Sequence, residues 1–234
     1  MAAWTCPLFI FMALSALRGF FHDATAGAPW YRAAPEHWVY PLQTICGLAA
    51  VAFWWQHYTF RPLGGRVGVL SIVAGVIGIG VWLLPGWLFL QNYVPEVKWL
   101  GCVSRTDGFD PNLWSDPGVW WTAVGLRFLR MVVCVAFVEE LFWRGYLWRT
   151  LSEEYREFHT VSFARPGWKP FWGTVAAITL IHAPVDYAGA LPWAVLTGLL
   201  YLHTRSVGAL VVCHATANLL LGLYVMKTGQ WGYW

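Results

Sequence analysis

From Val67 to Leu90 the chain carries no charged side chain, and six other predominantly apolar runs accompany it: Trp4 to Phe21, Trp38 to His57, Val119 to Phe142, Phe171 to Tyr187, Leu191 to Leu202 and Val207 to Met226. About 20 such residues, wound as a helix, cross the hydrocarbon core of a bilayer. A fold made of these runs is all-α, a polytopic transmembrane helical bundle of six to eight helices. Pro184, Gly189 and Pro192 interrupt the fifth and sixth runs, which are therefore expected to be short or kinked. The chain is 58% hydrophobic and 12% charged, with a mean hydropathy of +0.50. The longest polar intervals are too short to bury a core of their own. One integrated membrane domain is expected, with residues 1–118 supplying the N-terminal helices and an extracytoplasmic loop at 91–118, and 119–234 the functional helices.

Charge places the loops. Arg61 and Arg66, and then Arg144, Arg149, Arg156, Arg165 and Lys169, mark two cytoplasmic connections, whereas Glu96, Asp107, Asp110 and Asp116 put the 91–118 loop outside. The Asp107–Asn112 stretch lacks the spacing of a calcium loop and reads as turn chemistry. The net charge of +3 is small and its cations lie in connections, which argues against a nucleic-acid partner. Ala24-Thr25-Ala26 resembles a cleavage site, but no Lys or Arg precedes the first apolar run, so a retained helix is expected. Five cysteines without a CxxC pair read as small buried residues. Many of the 18 tryptophans, among them Trp54, Trp55, Trp120, Trp121, Trp143, Trp168 and Trp172, fall at the ends of spans as interface anchors. His22, His37, His57, His159 and His203 fall at span ends or in loops and read as interfacial.

Against this background Glu139 and Glu140 stand out, since an ionisable group within the hydrocarbon costs roughly 2.5 to 3.5 kcal/mol even on lenient scales. Glu140 and Arg144 are four apart with the acid first, the favourable orientation for a pair along one helix face. Glu139 points about 100° away and is left as the less compensated carboxylate, a candidate general base; a structural ion network of all three is the alternative. His182 lies inside the fifth run, where Asp186, four positions on, is placed to orient its imidazole. His214 and Asn218, again four apart, share a face of the last helix. At 1.5 Å per residue, Glu139, His214 and His182 lie roughly 8, 10 and 16 Å from the cytoplasmic ends of their spans. Three helices can thus bring them together in the inner half of the bilayer. A carboxylate with imidazole and amide donors suits acyl hydrolysis: one group takes a proton from water and the others stabilise the oxyanion.

In order and spacing, Glu139-Glu140-x-x-x-Arg144, His182 and His214-x-x-x-Asn218 resemble the CPBP family of intramembrane endopeptidases. That family includes type II CAAX prenyl endopeptidases and bacteriocin-processing or self-immunity proteins. The resemblance covers about Val119 to Met226. It implies that Glu139 and His182 activate water, that Glu140 and Arg144 support the site, and that His214 and Asn218 form the oxyanion hole. The family's second motif usually has Phe four residues before its histidine, where this chain has Ile178. Glu139, His182 and His214 would also make a legitimate zinc set, but HExxH is absent and the reading leans towards a metal-free glutamate enzyme over a metallo-endopeptidase. The implied substrate is a membrane-anchored protein or peptide, lipidated in the best-known case, met in the lipid bilayer. The expected setting is a bacterial-type plasma membrane, with the active site towards the cytoplasmic side. Two other classes remain open: an ion-coupled transporter, and a non-catalytic immunity or scaffold protein.

Overall fold

The computed structural model describes residues 1–23, 25, 27–153 and 158–234, and of His159 the backbone alone. Ala24 and Ala26 of the cleavage-like tripeptide, Arg156 of the basic loop and the His159 side chain therefore lie outside the described residues. Seven long helices follow the seven apolar runs: α1 (Ala2–Phe21), α2 (Glu36–Phe53), α3 (Gly65–Leu90), α4 (Pro117–Ser152), α5 (Trp168–Ile181), α6 (Tyr187–Thr204) and α7 (Val207–Thr228). Among the described residues there is no strand, only an isolated bridge between Val97 and Cys102. Five segments, Ala2–Phe21, Gly65–Leu90, Pro117–Ser152, Pro184–Thr204 and Val207–Thr228, are long and apolar enough to cross a membrane.

Local chemistry sets the helix ends. Asp116 caps α4, its carboxylate accepting from Val119 N at 2.9 Å with Pro117 in the first turn, and Ser206 Oγ accepts from Ala209 N at the start of α7. Asp110 likewise caps the short turn Pro111–Leu113, the turn chemistry expected of the Asp-rich stretch. Gly229, at φ +67°, ends α7 in the left-handed region that an L side chain resists.

Packing is inverted relative to a soluble protein. α3 exposes Val69, Ile72, Val73, Val76 and Ile77 while burying Ser71, Ala74, Gly75, Gly78 and Ile79. Bulky side chains face lipid and small ones let helices approach, because lipid offers apolar groups no reason to hide. A Cβ on Gly75 would stand 2.5 Å from the Cys213 carbonyl oxygen and 2.9 Å from Thr216 Cβ, so α3 and α7 touch almost backbone to backbone.

The bundle has two distinct ends. At one, Tyr58 Oη donates to Ala3 O at 2.6 Å, Ser206 Oγ to Phe60 O at 3.0 Å, and Trp4 packs on Phe163. This basic end carries Arg61, Arg165, Lys169 and Arg205. At the other, Phe21 packs on Trp38, Phe109 on Trp234, and Gly232 N donates to Arg105 O at 2.7 Å. That acidic end carries Asp23, Glu36, Glu96, Asp107, Asp110, Asp116 and Asp186.

Two expectations are corrected. The fourth helix does not stop near Phe142; it continues to Ser152, because nothing between them breaks a helix and Trp148 and Arg149 have buried partners to reach. Trp143 is not an interface anchor: it is 5% exposed and its indole N–H points at Glu139. Replacement Gly75→Val should lower stability by roughly 2 kcal/mol through overpacking of α3 on α7, read as a lower melting temperature of the detergent-solubilised protein; Gly80→Val, where a Cβ meets nothing within 4 Å, should leave it unchanged.

Candidate active site

α4 is not uniformly α-helical. Leu129–Val135 and Leu141–Leu147 are wound as wider π turns on either side of Ala136–Glu140, the segment with the two glutamates. Such turns leave carbonyls out of the regular ladder and often mark functional positions. The Met131 carbonyl is one that finds an outside partner, accepting from Asn218 Nδ2 on α7 at 2.6 Å.

Consecutive in sequence, the two glutamates live in different surroundings. Glu140 is 1% exposed and held on both sides: Arg144 Nη1 lies 3.3 Å from Oε2 and His214 Nδ1 lies 3.0 Å from Oε1. Arg144 passes the restraint on, donating to Thr197 Oγ1 of α6 at 2.5 Å while its carbonyl accepts from Tyr201 Oη at 3.1 Å. Glu140 thus ties α4, α6 and α7 together. Glu139 is half-buried and lines a cavity of about 310 Å³. Trp143 Nε1 stands 3.4 Å from its Oε2, a long contact that leaves most of the carboxylate unengaged.

His182, His214, Asn218 and Asp186 line the same cavity, with Trp82, Trp193, Arg105 and Tyr233 closing it. His182 is the residue at which α5 ends. Its Nδ1 lies 2.7 Å from the Ile178 carbonyl, which fixes the N–H there and leaves the Nε2 lone pair free. Trp82 packs edge-on against the ring at 5.2 Å. A backbone carbonyl does this work, so the Ile178 side chain that departs from the family pattern leaves the imidazole's restraint intact. Asp186 does not orient His182, as the sequence suggested; it pairs with Arg105, a partner from the 91–118 loop. His214 is 7% exposed and packs edge-on to Trp193 at 5.5 Å. With Nδ1–H committed to Glu140, its Nε2 accepts when the ring is neutral and donates when it is an imidazolium. Asn218 uses one amide N–H on Met131 and keeps the other.

All six residues singled out in the sequence occur in this neighbourhood: Glu139, His182, His214 and Asn218 on the cavity wall, Glu140 and Arg144 behind it. Arg105, Trp82, Trp193 and Tyr233 carried no signal of their own, since their roles depend on which chain segments meet. Among the described residues no three His, Cys, Asp or Glu side chains are arranged to hold a metal ion. The possible zinc set Glu139, His182 and His214 therefore does not fit one here, and no chemical step is routed through a metal.

The cavity's place in the bundle follows from its lining. Arg105, Asp186, Gly232, Tyr233 and Trp234 at its rim belong to the acidic end, so it opens away from the basic loops. The depths reckoned from the sequence placed Glu139 close to the basic end, but thirteen more residues of α4 extend past Glu139, and His182 sits at the far end of α5.

Residues 120–220 match the family model described as type II CAAX prenyl endopeptidase Rce1-like. Over that segment the chain is Rce1-like. The Rce1-like segment contains all six singled-out residues, whereas Arg105 and the 229–234 segment at the cavity rim lie outside it. With its membrane-length helices the chain is an integral membrane protein, and its residues 120–220 are similar to a CAAX-protease-type endopeptidase family. No curated protein and no solved structure matches it.

Removing one partner of a buried ion pair strands the other. Arg144→Met should therefore destabilise the protein by roughly 3 kcal/mol or more, seen as a melting temperature several degrees lower, whereas Arg61→Met at the basic end should leave it unchanged.

Proposed function

We propose that the chain is an intramembrane endopeptidase of the glutamate type, acting on a peptide bond of a membrane-associated protein. The observation that carries this is the shared cavity: a half-buried carboxylate without a strong partner, two imidazoles and a primary amide all face one space of about 310 Å³ inside a membrane bundle. A scaffold has no need of that combination, and an ion-coupled carrier has no need of the amide donor beside the acid and imidazoles.

Glu139 takes a proton from a water molecule whose oxygen attacks the scissile carbonyl carbon. His182 Nε2, its lone pair free, accepts the second water hydrogen and so aims the attacking oxygen. Negative charge developing on the carbonyl oxygen meets the spare Asn218 N–H and, when His214 is an imidazolium, its Nε2–H. Glu140 and Arg144 hold His214 in register from behind, which makes them positioning residues. As the tetrahedral intermediate collapses, the C–N bond breaks and Glu139 returns its proton to the departing amine, leaving acid and amine products.

Substrate reaches this site from the acidic end. By the distribution of Lys and Arg, that end lies outside the cytoplasm and the basic loops within it. The peptide segment is therefore one presented at the extracytoplasmic face, next to the membrane anchor of its own protein.

Glu139→Gln should abolish hydrolysis, with a loss of about 10³-fold or more, while expression and melting temperature persist. Unchanged cleavage by that variant would refute the assignment. Sidedness has its own check. In a cysteine-free background, Lys98→Cys should react with a membrane-impermeant maleimide on intact cells and Arg205→Cys only after permeabilisation, and the reverse pattern would turn the mouth to the cytoplasm.

A further inference from the structure

Outside the catalytic cavity, three arginines converge on one tyrosine at the acidic end. Arg18 Nη1 donates to Tyr40 Oη at 2.9 Å, and the guanidiniums of Arg127 and Arg130 lie over the Tyr40 ring, 4.4 and 4.2 Å from its centroid. Arg130 Nε also donates to Gln43 Oε1 at 3.0 Å. Arg127 is 4% exposed, enclosed further by Phe109 and Trp234, and its Nε and Nη1 have no hydrogen-bond partner.

Among the described residues none of the three forms an ion pair with a carboxylate. Three like charges around one ring repel one another, and a buried guanidinium with spare N–H groups bears a desolvation penalty that stacking on aromatic faces offsets only in part. Buried donors left without a partner call for a water or an ion, and three uncompensated cations favour a nearby anion.

Space for one lies alongside. Tyr40 and Phe109 form the wall between a void of about 10 Å³ lined by Arg127 and a cavity of about 520 Å³ lined by Arg18, His22, Tyr40, Phe109 and Trp234, and also by the acids Glu36 and Asp107. The small void admits no more than a water molecule, whereas the large one takes a headgroup-sized ligand.

We propose that this cavity binds a phosphoester oxyanion, seated at Tyr40 against Arg18 with the Arg127 and Arg130 guanidiniums behind it, and with Glu36 and Asp107 facing any ammonium arm. Of the three, Arg18 lines the cavity, and its guanidinium matches phosphate oxygens in charge and geometry, while Arg127 and Arg130 add their positive field from behind the Tyr40–Phe109 wall. The site sits where α1, α2 and α4 approach the acidic face of the membrane, so the phosphate can come from a phospholipid headgroup or from solution. Gly232 and Trp234 line both this cavity and the catalytic one, so an occupant here also braces the catalytic wall.

The test is thermal unfolding of the full chain, first freed of phosphate-bearing lipid in a maltoside detergent. It is then placed in nanodiscs of phosphatidylethanolamine, in nanodiscs of digalactosyl diacylglycerol, which has no phosphate, or in detergent with inorganic phosphate. The phospholipid should raise the wild-type melting temperature by about 5 °C over the glycolipid, and Arg18→Met and Arg127→Met should each lose most of that rise. If inorganic phosphate alone produces the full rise, the site stands and its ligand is a soluble oxyanion. Equal melting temperatures in all three media, or an equal rise in wild type and both variants, would overturn the proposal. Should Arg127→Met fail to fold, the exposed Arg18 still decides it, because its removal leaves the buried stack in place.

Discussion

The Glu140 carboxylate, clamped between Arg144 and His214 out of reach of water, is the restraint on which the rest of this bundle turns. Within lipid there is little hydrophobic drive to bring one helix to another, so helices meet through close backbone packing and through polar groups that have nowhere else to bond. Glu140 joins α4 to α7 through His214, and Arg144 joins the same turn to α6 through Thr197 and Tyr201. Each group alone would be an expensive buried charge; together they compensate one another's charge, although Glu140 Oε2 and Arg144 Nε keep no hydrogen-bond partner. The geometry that follows is specific, because the same carboxylate that fixes the helices also fixes which nitrogen of His214 faces the cavity.

Two adjacent glutamates can then take opposite parts. A residue step of about 100° around a helix turns Glu140 into the packed interior and Glu139 onto the cavity wall. The flanking π turns adjust that phase, and they free the Met131 carbonyl that Asn218 holds. Removing Glu140 would loosen the bundle and the site together; Glu139 has no such structural duty, which is the pattern expected of a group kept for chemistry.

The seven apolar runs were legible because membrane-length hydrophobicity is a local property, and Glu139, Glu140, Arg144, His182, His214 and Asn218 were legible because polar residues are conspicuous in such runs. What escaped was relational. Arg105 finds Asp186 across 81 positions, and no periodicity in either segment hints at it. Asp186 lay at helical spacing from His182, but α5 ends at Ile181, so the shared face that spacing presumes does not exist. Trp143 read as an anchor because composition marks it as amphipathic, while its neighbours make it an indole donor beside Glu139. The length of α4 escaped for a similar cause: apolarity shows that a helix crosses, yet not how far it continues, and α4 continues to Ser152.

The length of α5 explains why the site lies where it does. Its 14 residues rise about 21 Å, short of the roughly 30 Å hydrocarbon core, so its final carbonyls and the turn 182–186 fall at a depth where lipid cannot satisfy them. Irregular backbone at that depth survives only when protein covers it or water reaches it. Here both occur. His182 Nδ1 bonds the Ile178 carbonyl and Arg105 Nη2 donates to the Val185 carbonyl at 2.9 Å, with the Arg105 guanidinium resting 4.2 Å from the centre of the Tyr233 ring. The remaining face of the turn borders the cavity. A helix that stops short thus creates a need for polar cover, and the groups that meet it bring an imidazole, a cation and a polar-lined recess to one place in the bundle. The hydrolysis we propose needs a recess that water can enter, so on that reading the broken helix is the structural condition for the chemistry on Glu139.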